Sequence, residues 1–398
     1  MDWLPTLGAI LDEDKRCEFR VWAPNAKTVA VHLYGDEDRI LSMARMEGDY
    51  FRAIVDNVIP GQLYRYRLDG KDEYPDPASR CQPQGVSGAS QVVDRRYIWQ
   101  AEGWKGHQLK DYLIYELHIG TFSPLGTFEG AIPFLDELVE LGITAIELMP
   151  VAQFPGEYGW GYDGVFLFAP HHAYGTPNEF RALIDACHRR GIAVILDVVY
   201  NHFGPEGNCL PHYASYTRSI YKGPWGDAVN VDGPYSDEVR AFFIENACYW
   251  LAEFHIDALR LDATHFIYDF SPYTFLEELT DKIDVLCHHS ERNVYLIAED
   301  DRNLAKLVIP RDKGGIGMNA QWLDDFHHAL HTNLIGENYA YYKDFGMFWQ
   351  LEQTFRDGFV YTGQYAPNRK RRHGTSSADV PAERFIVFIQ NHDQIGNR

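Results

Sequence analysis

Residues 192–199 read Ile-Ala-Val-Ile-Leu-Asp-Val-Val, with Asp197 as the one polar side chain of the run. A strand with one wet face alternates polar and apolar residues, because successive side chains point to opposite faces. This run does not alternate. Both of its faces are therefore buried, the condition of a parallel sheet covered by helices on either side. Parallel neighbours need crossover connections, and the chain supplies them. Strand-like runs at 112–118, 144–149, 192–199, 254–261, 294–299, 318–322 and 384–390 are interleaved with helical apolar spacing at 128–141, 179–190 and 236–254. Gly191 is a stop for the second of these helices. No glycine-rich phosphate loop follows the first strand, which counts against a dinucleotide-binding sheet. Repeated β/α units of this kind predict an α/β fold, a (β/α)8 TIM barrel. Seven strands are present, so the barrel is expected to be truncated after strand 7. The reading expects a fragment whose eighth strand, last helix and further C-terminal part are missing.

Before residue 100 the pattern differs. Residues 16–22 and 28–34 alternate polar and apolar side chains, and 61–68 follow the Pro60-Gly61 turn. Period-2 runs with turn signals about every ten residues predict a small antiparallel sandwich. The expected domains are 1–100, a carbohydrate-binding-like β-sandwich, and 101–398, the catalytic barrel. Residues 74–77 and the Gly/Ser/Gln-rich stretch 82–91 read as an irregular linker. The net charge of −21 argues against nucleic acid or an anionic membrane as partner, since both require basic patches. Aromatic residues make up 14% of the chain; most fill the core, and such rings also stack on sugars. The six cysteines, Cys17, Cys81, Cys187, Cys209, Cys248 and Cys287, have no CxxC spacing and read as reduced thiols of a cytoplasmic protein. No apolar run approaches the roughly 20 residues of a membrane span. No cofactor or metal is expected.

Polar residues gather just past strand ends. Asp197, Asn201 and His202 follow the third strand, and Asp262 and His265 the fourth. Glu299, Asp300 and Asp301 follow the fifth, and Asn391, His392 and Asp393 the seventh. Each alone is an ordinary loop residue or ion pair. Four such ends on one barrel mark the C-terminal mouth where barrel enzymes work. Arg260 and Asp262 are two apart on a strand and share a face, so the guanidinium keeps the carboxylate ionised. Asp262 is then suited to nucleophilic attack. Glu299 ends the adjacent strand beside further acids, and repulsion raises its proton affinity, as a general acid requires. Carboxyls about 5 Å apart suit retaining glycoside hydrolysis. Asp393 would stabilise the cationic transition state, with His202 and His392 on ring hydroxyls.

The stretches Asp197-Val198-Val199-Tyr200-Asn201-His202, Leu259-Arg260-Leu261-Asp262-Ala263-Thr264-His265, the Glu299 strand end and Asn391-His392-Asp393 resemble the α-amylase family of glycoside hydrolases and transferases. The resemblance implies Asp262 as nucleophile, Glu299 as acid/base and Asp393 as the transition-state carboxylate. It implies that Tyr162, in Gly161-Tyr162-Asp163, stacks on the sugar being cleaved, with Arg260, His202 and His392 around it; His265 is a further candidate for substrate binding. Ala258 stands where many relatives carry glycine. Residues 298–303, 324–328 and 390–398 are most similar to the trehalose-releasing hydrolases of that family, and 19–25 resemble the sandwich domain that these share with branching and debranching enzymes. The similarity to the trehalose-releasing hydrolases implies cleavage of the α-1,4 bond next to the terminal trehalose unit of malto-oligosyltrehalose or a related α-glucan. Asp300, Asp301, Asp325 and His328 would line the acceptor side. The rival readings are a 1,4-α-glucan branching enzyme, which passes the glucan to a sugar hydroxyl, and a non-catalytic glucan-binding protein.

Overall fold

Strand parity organises the large domain of this computed structural model, which describes residues 3–288 and 290–395. Seven parallel strands run β1 (Ile114–Leu117), β2 (Ala145–Leu148), β3 (Ala193–Val198), β4 (Ala258–Leu261), β5 (Tyr295–Ala298), β6 (Ala320–Trp322) and β7 (Phe385–Ile386), each paired with the next. Ala145, Ala193, Ile195, Ala258, Ile297, Ala320 and Trp322 pack together on one face, with Ile114, Tyr295 and Ile386 against them. Their neighbours Ile146, Leu148, Val194, Leu196, Leu259, Leu261 and Leu296 pack in the larger core under the helices. The period of two extends past the strand ends, so Glu116, Glu147, Asp197, Arg260, Asp262 and Glu299 belong to the inner parity. The parallel strands of the β/α barrel expected from the sequence are thus observed, seven among the described residues, with β1 and β7 at the two ends of the sheet order.

Four helices matter for the site: α1 (Pro177–Arg189), α2 (Ser236–Glu253), α3 (Phe275–Cys287) and α4 (Asp324–Ile335). Helix α1 starts at a capping box, Thr176 with Glu179, and has proline in its first turn, where a missing N–H costs nothing. Gly191 follows it with φ +75°. The helix expected over 128–141 is broken into Phe128–Ala131, a 3-10 turn Ile132–Phe134 and Leu135–Glu140. Pro133 lies at that break, and proline disrupts a helix interior through its missing donor and its ring. The strand expected over 254–261 is shorter, since His255 turns the chain at φ 55°. Only Phe385–Ile386 of the run 384–390 pairs with β6. Two hairpins carried no clear sequence signal: Ala152–Gln153 with Phe166–Pro170, and Thr217–Gly223 with Gly226–Val229.

The N-terminal sandwich has one sheet of Gly8–Leu11, Cys17–Trp22, Tyr50–Val55 and Ala44–Arg45. The other holds Arg39–Ser42, Val29–Leu33, Leu63–Leu68 and Glu73–Tyr74, with Ser90–Gln91 added to Leu63–Leu68. The stretch read as an irregular linker therefore carries the last two short strands. Phe19, Val21, Val31, Phe51, Tyr64 and Tyr66 fill the space between the sheets, and the same core continues under the barrel helices. Glu245 of α2 accepts the backbone N–H groups of Thr6 and Leu7 at 2.7 Å each, so the two domains are also hydrogen-bonded together. All six cysteines are free, five of them buried. No described helix is long and apolar enough to cross a membrane.

Candidate active site

Arg260 is the centre of the barrel mouth. Its Nη1 donates to Asp197 Oδ1 and Oδ2 at 3.0 and 2.9 Å and to Asp262 Oδ1 at 2.9 Å. Its Nη2 lies 3.6 Å from Glu299 Oε2, and its guanidinium sits 4.2 Å from the centre of the Trp322 ring. The side chain is 1% exposed. A buried cation must be paired, and here one cation faces three carboxyls. They cannot all ionise cheaply. Burial pushes the Glu299 carboxyl well above the usual carboxylate range; Asp262 and Asp324 add repulsion, while Arg260 opposes it. Burial also pushes Asp197 up to about 6, against the pull of Arg260.

Asp262 is held from two sides. Besides Arg260, Asn201 Nδ2 donates to its Oδ2 at 2.7 Å and to its backbone carbonyl at 2.8 Å. The next residue, Ala263, has φ 42°, a left-handed conformation that costs energy for a residue with a Cβ. That turn directs the Ala263 N–H onto Glu299 Oε2. The strain is thus tied to the placement of the candidate acid beside the candidate nucleophile, both within reach of one guanidinium.

The other sequence-predicted residues divide by what they touch. Tyr162 O–H donates to Asp197 Oδ2 at 2.8 Å, and its oxygen is 2.8 Å from His392 Nε2. Its neighbour Gly161 has φ +95°, and a Cβ there would fall 2.1 Å from the Pro150 carbonyl oxygen, so only glycine brings this loop so close. Asp393 follows β7 with its side chain 54% exposed, and its Oδ1 is 3.6 Å from His392 Nε2. His202 stacks on Trp225 with centroids 4.7 Å apart and hydrogen-bonds Asn201 through Nδ1. Burial holds its ring below the usual histidine range. His265 Nε2 is 4.0 Å from Asp301 Oδ1.

Three predicted residues have protein partners instead of open space. Asp300 accepts Thr264 Oγ1 at 2.9 Å and the Arg302 guanidinium. Asp325 Oδ2 accepts Asn303 Nδ2 and Val360 N at 2.7 Å each. His328 packs against Tyr341, Tyr342 and Phe345. His265, Asp300 and Asp301 are close enough together to hold a cation, but Arg302 and Arg369 already neutralise the two acids.

Four participants escaped the sequence reading. Glu116 ends β1, and the rule that found the other strand-end acids applies to it equally. Asp324 begins α4, two residues beyond Trp322, and burial together with Asp325, Asp301 and Asp393 pushes it up to about 8. Trp322 lay inside a predicted strand without a signal for its contact with Arg260. Trp225 sits in the unforeseen hairpin. Beside His392 a cavity of about 410 Å³ is walled by Glu116, His118, Met149, Tyr158, Trp160 and Tyr174. Exposed aromatic faces next to hydrogen-bonding groups suit a sugar ring, which is apolar on its faces and polar at its rim.

Acids gathered at the C-terminal ends of a parallel barrel, behind an antiparallel sandwich, define a glycosidase-type enzyme. Residues 74–223 match the family described as alpha amylase, catalytic domain, and residues 6–82 match carbohydrate-binding module 48, the isoamylase N-terminal domain. The malto-oligosyltrehalose trehalohydrolase of Saccharolobus solfataricus is 47% identical over 393 residues, covering 99% of this chain and 68% of that protein. A crystal structure from Salmonella typhimurium described as an alpha amylase is 43% identical with a TM-score of 0.93, covering 100% of this chain and 67% of that one. A 1,4-alpha-glucan branching enzyme of Pseudoalteromonas atlantica is 30% identical over 390 residues, covering 86% of this chain and 53% of that protein. The chain belongs to the malto-oligosyltrehalose trehalohydrolases, a branch of the α-amylase family. It spans about two thirds of the length of the trehalohydrolase it matches.

Proposed function

We propose that this chain carries the catalytic centre of a retaining hydrolase that cleaves the α-1,4 bond next to the terminal trehalose unit of malto-oligosyltrehalose, releasing trehalose. The observation that carries the reading is 47% identity across 99% of the chain. The arrangement around Arg260 supports it chemically. Asp262, fixed by Arg260 and Asn201, attacks the anomeric carbon. Glu299, kept protonated by burial, gives its proton to the leaving oxygen of trehalose. The glycosyl ester on Asp262 is then hydrolysed by a water that the Glu299 carboxylate deprotonates, which restores both groups. Asp393 faces the cationic transition state, and Tyr162 stacks on the ring undergoing attack. The carbohydrate-binding-type sandwich and the exposed aromatics agree with an α-glucan substrate.

The test is product analysis after incubation with maltotriosyl-trehalose and, separately, with maltopentaose. The expected result is prompt free trehalose from the first and slow attack on the second, with Glu299→Gln inactive on both. Longer or branched glucans as the main products would refute hydrolysis in favour of the branching reaction.

A further inference from the structure

Glu116, an acid at the mouth, grips the candidate site residue His392 through two contacts. Its Oε2 accepts the backbone N–H of His392 at 2.7 Å, and its Oε1 lies 2.7 Å from His392 Nδ1. The residues are 276 apart in sequence, and they join the end of β1 to the residue after the loop leaving β7. The hydrogen-bond directions around the ring are constrained. Arg260 has no acceptor, so both Asp197 oxygens accept from it. Tyr162 has a single hydroxyl proton and gives it to Asp197 Oδ2. His392 Nε2 must then donate to the tyrosine oxygen. A carboxylate that already accepts a backbone N–H also accepts from Nδ1. Both ring nitrogens therefore carry protons.

We propose that Glu116 is a positioning residue that keeps His392 an imidazolium, oriented so that its Nε2–H faces Tyr162, Asp393 and the sugar between them. Glu147 supports this assignment. It stands opposite Glu116 in the register of β1 and β2, is 1% exposed, and its Oε1 has no hydrogen-bond partner among the described residues. Burial, reinforced by Glu116, pushes its carboxyl well above the usual range. Glu147 is thus the neutral neighbour of Glu116. The groups around the ring are Glu116 from β1, Tyr162 from the loop after β2, Asp197 from β3, Arg260 from β4, and Asp393 beside it. Burial and Arg260 work against the cation, but the bond and charge of Glu116 outweigh them, leaving His392 above its ordinary value. The positive charge serves the glycoside reaction by donating firmly to a ring hydroxyl without competing as a base.

The decisive measurement is NMR titration of the histidine-labelled chain, with the His392 signal assigned from a His392→Gln spectrum. The imidazolium is expected to persist through neutral pH. In Glu116→Gln the midpoint should fall by about one pH unit, because a neighbouring opposite charge is worth that much or more. A His392 already neutral at about pH 6.5 in the unaltered chain, the ordinary histidine value, would overturn the proposal, and that result needs no folded variant. So would an unchanged midpoint in Glu116→Gln. A kinetic arm rests on the trehalohydrolase reading: the ratio of variant to unaltered kcat/KM should drop by up to about tenfold between roughly pH 5.5 and 7.5. A ratio constant with pH would mean a purely structural role. The titration needs no substrate, so a failure of the functional reading leaves it intact.

Discussion

Glu299 and Arg260 show how one buried cation sorts its acids. Because burial raises Glu299 and Arg260 only partly opposes this, the acid form is the resting one. Activity should fall as pH rises through that raised value, which kcat/KM measured across the alkaline range would check. Glu299→Gln removes the transferable proton, and general acid catalysis is worth about 10²–10⁴-fold, so kcat should drop by at least that much without loss of fold. Arg260→Lys keeps the charge but not the planar fork that reaches Asp197, Asp262 and Glu299 together. Lysine is not equivalent where several acceptors share one guanidinium. A loss of about 100-fold or more in kcat, with little change in thermal midpoint, is expected; activity near the unaltered level would contradict the central role of Arg260.

Strand β4 has its chemistry at one end and its stability at the other. At the entry, Asp257 accepts Trp104 Nε1, His188 Nε2 and Val194 N at 2.8 Å each and is fully buried. Burial resists its charge, yet His188, Arg292 and the N–H donors outweigh that and hold it below the usual range. A depressed carboxyl stabilises the fold at neutral pH, and the contribution is lost as pH falls through its folded value. Asp257→Asn should cost about 3 kcal/mol in denaturant unfolding at pH 7 and leave kcat of the folded enzyme unchanged. Helix α1 offers a milder case: Thr176→Ala removes the N-cap oxygen at Glu179 and should cost about 1 kcal/mol. The broken stretch at 128–141 shows the limit of helical spacing as a guide. Its apolar positions were legible, but Pro133 decides how the segment bends.

Across the whole molecule the sandwich and barrel share one apolar core, and the Glu245 carboxylate ties Thr6 and Leu7 to α2. Calorimetry should therefore give a single unfolding transition. Glu245→Ala leaves two backbone N–H groups unpaired and should lower that transition, by about 1–3 kcal/mol for each group that stays buried and unsatisfied. Two separate transitions in the unaltered protein would show that the domains are energetically independent.

The sequence by itself determined which residues could meet at the mouth. A period of two fixes the inner face of each strand, and an apolar run fixes where the strand ends, so Asp197, Arg260, Asp262 and Glu299 were legible from local pattern alone. The nearly continuous run at 192–199 also fixed the parallel, helix-covered sheet. Only the tertiary structure decided which of these groups touch and what charge each carries. Glu116 reaches His392 across 276 residues, Trp225 reaches His202 from a hairpin without a periodic signature, and Tyr162 depends on a glycine turn against Pro150. Asp300, Asp325 and His328 read as groups lining an acceptor site and have protein partners in the fold. The physical reason is the same in each case. Side-chain direction within an element follows from local sterics, whereas loop paths and proton affinities depend on what the whole fold packs around a group and how far it excludes water.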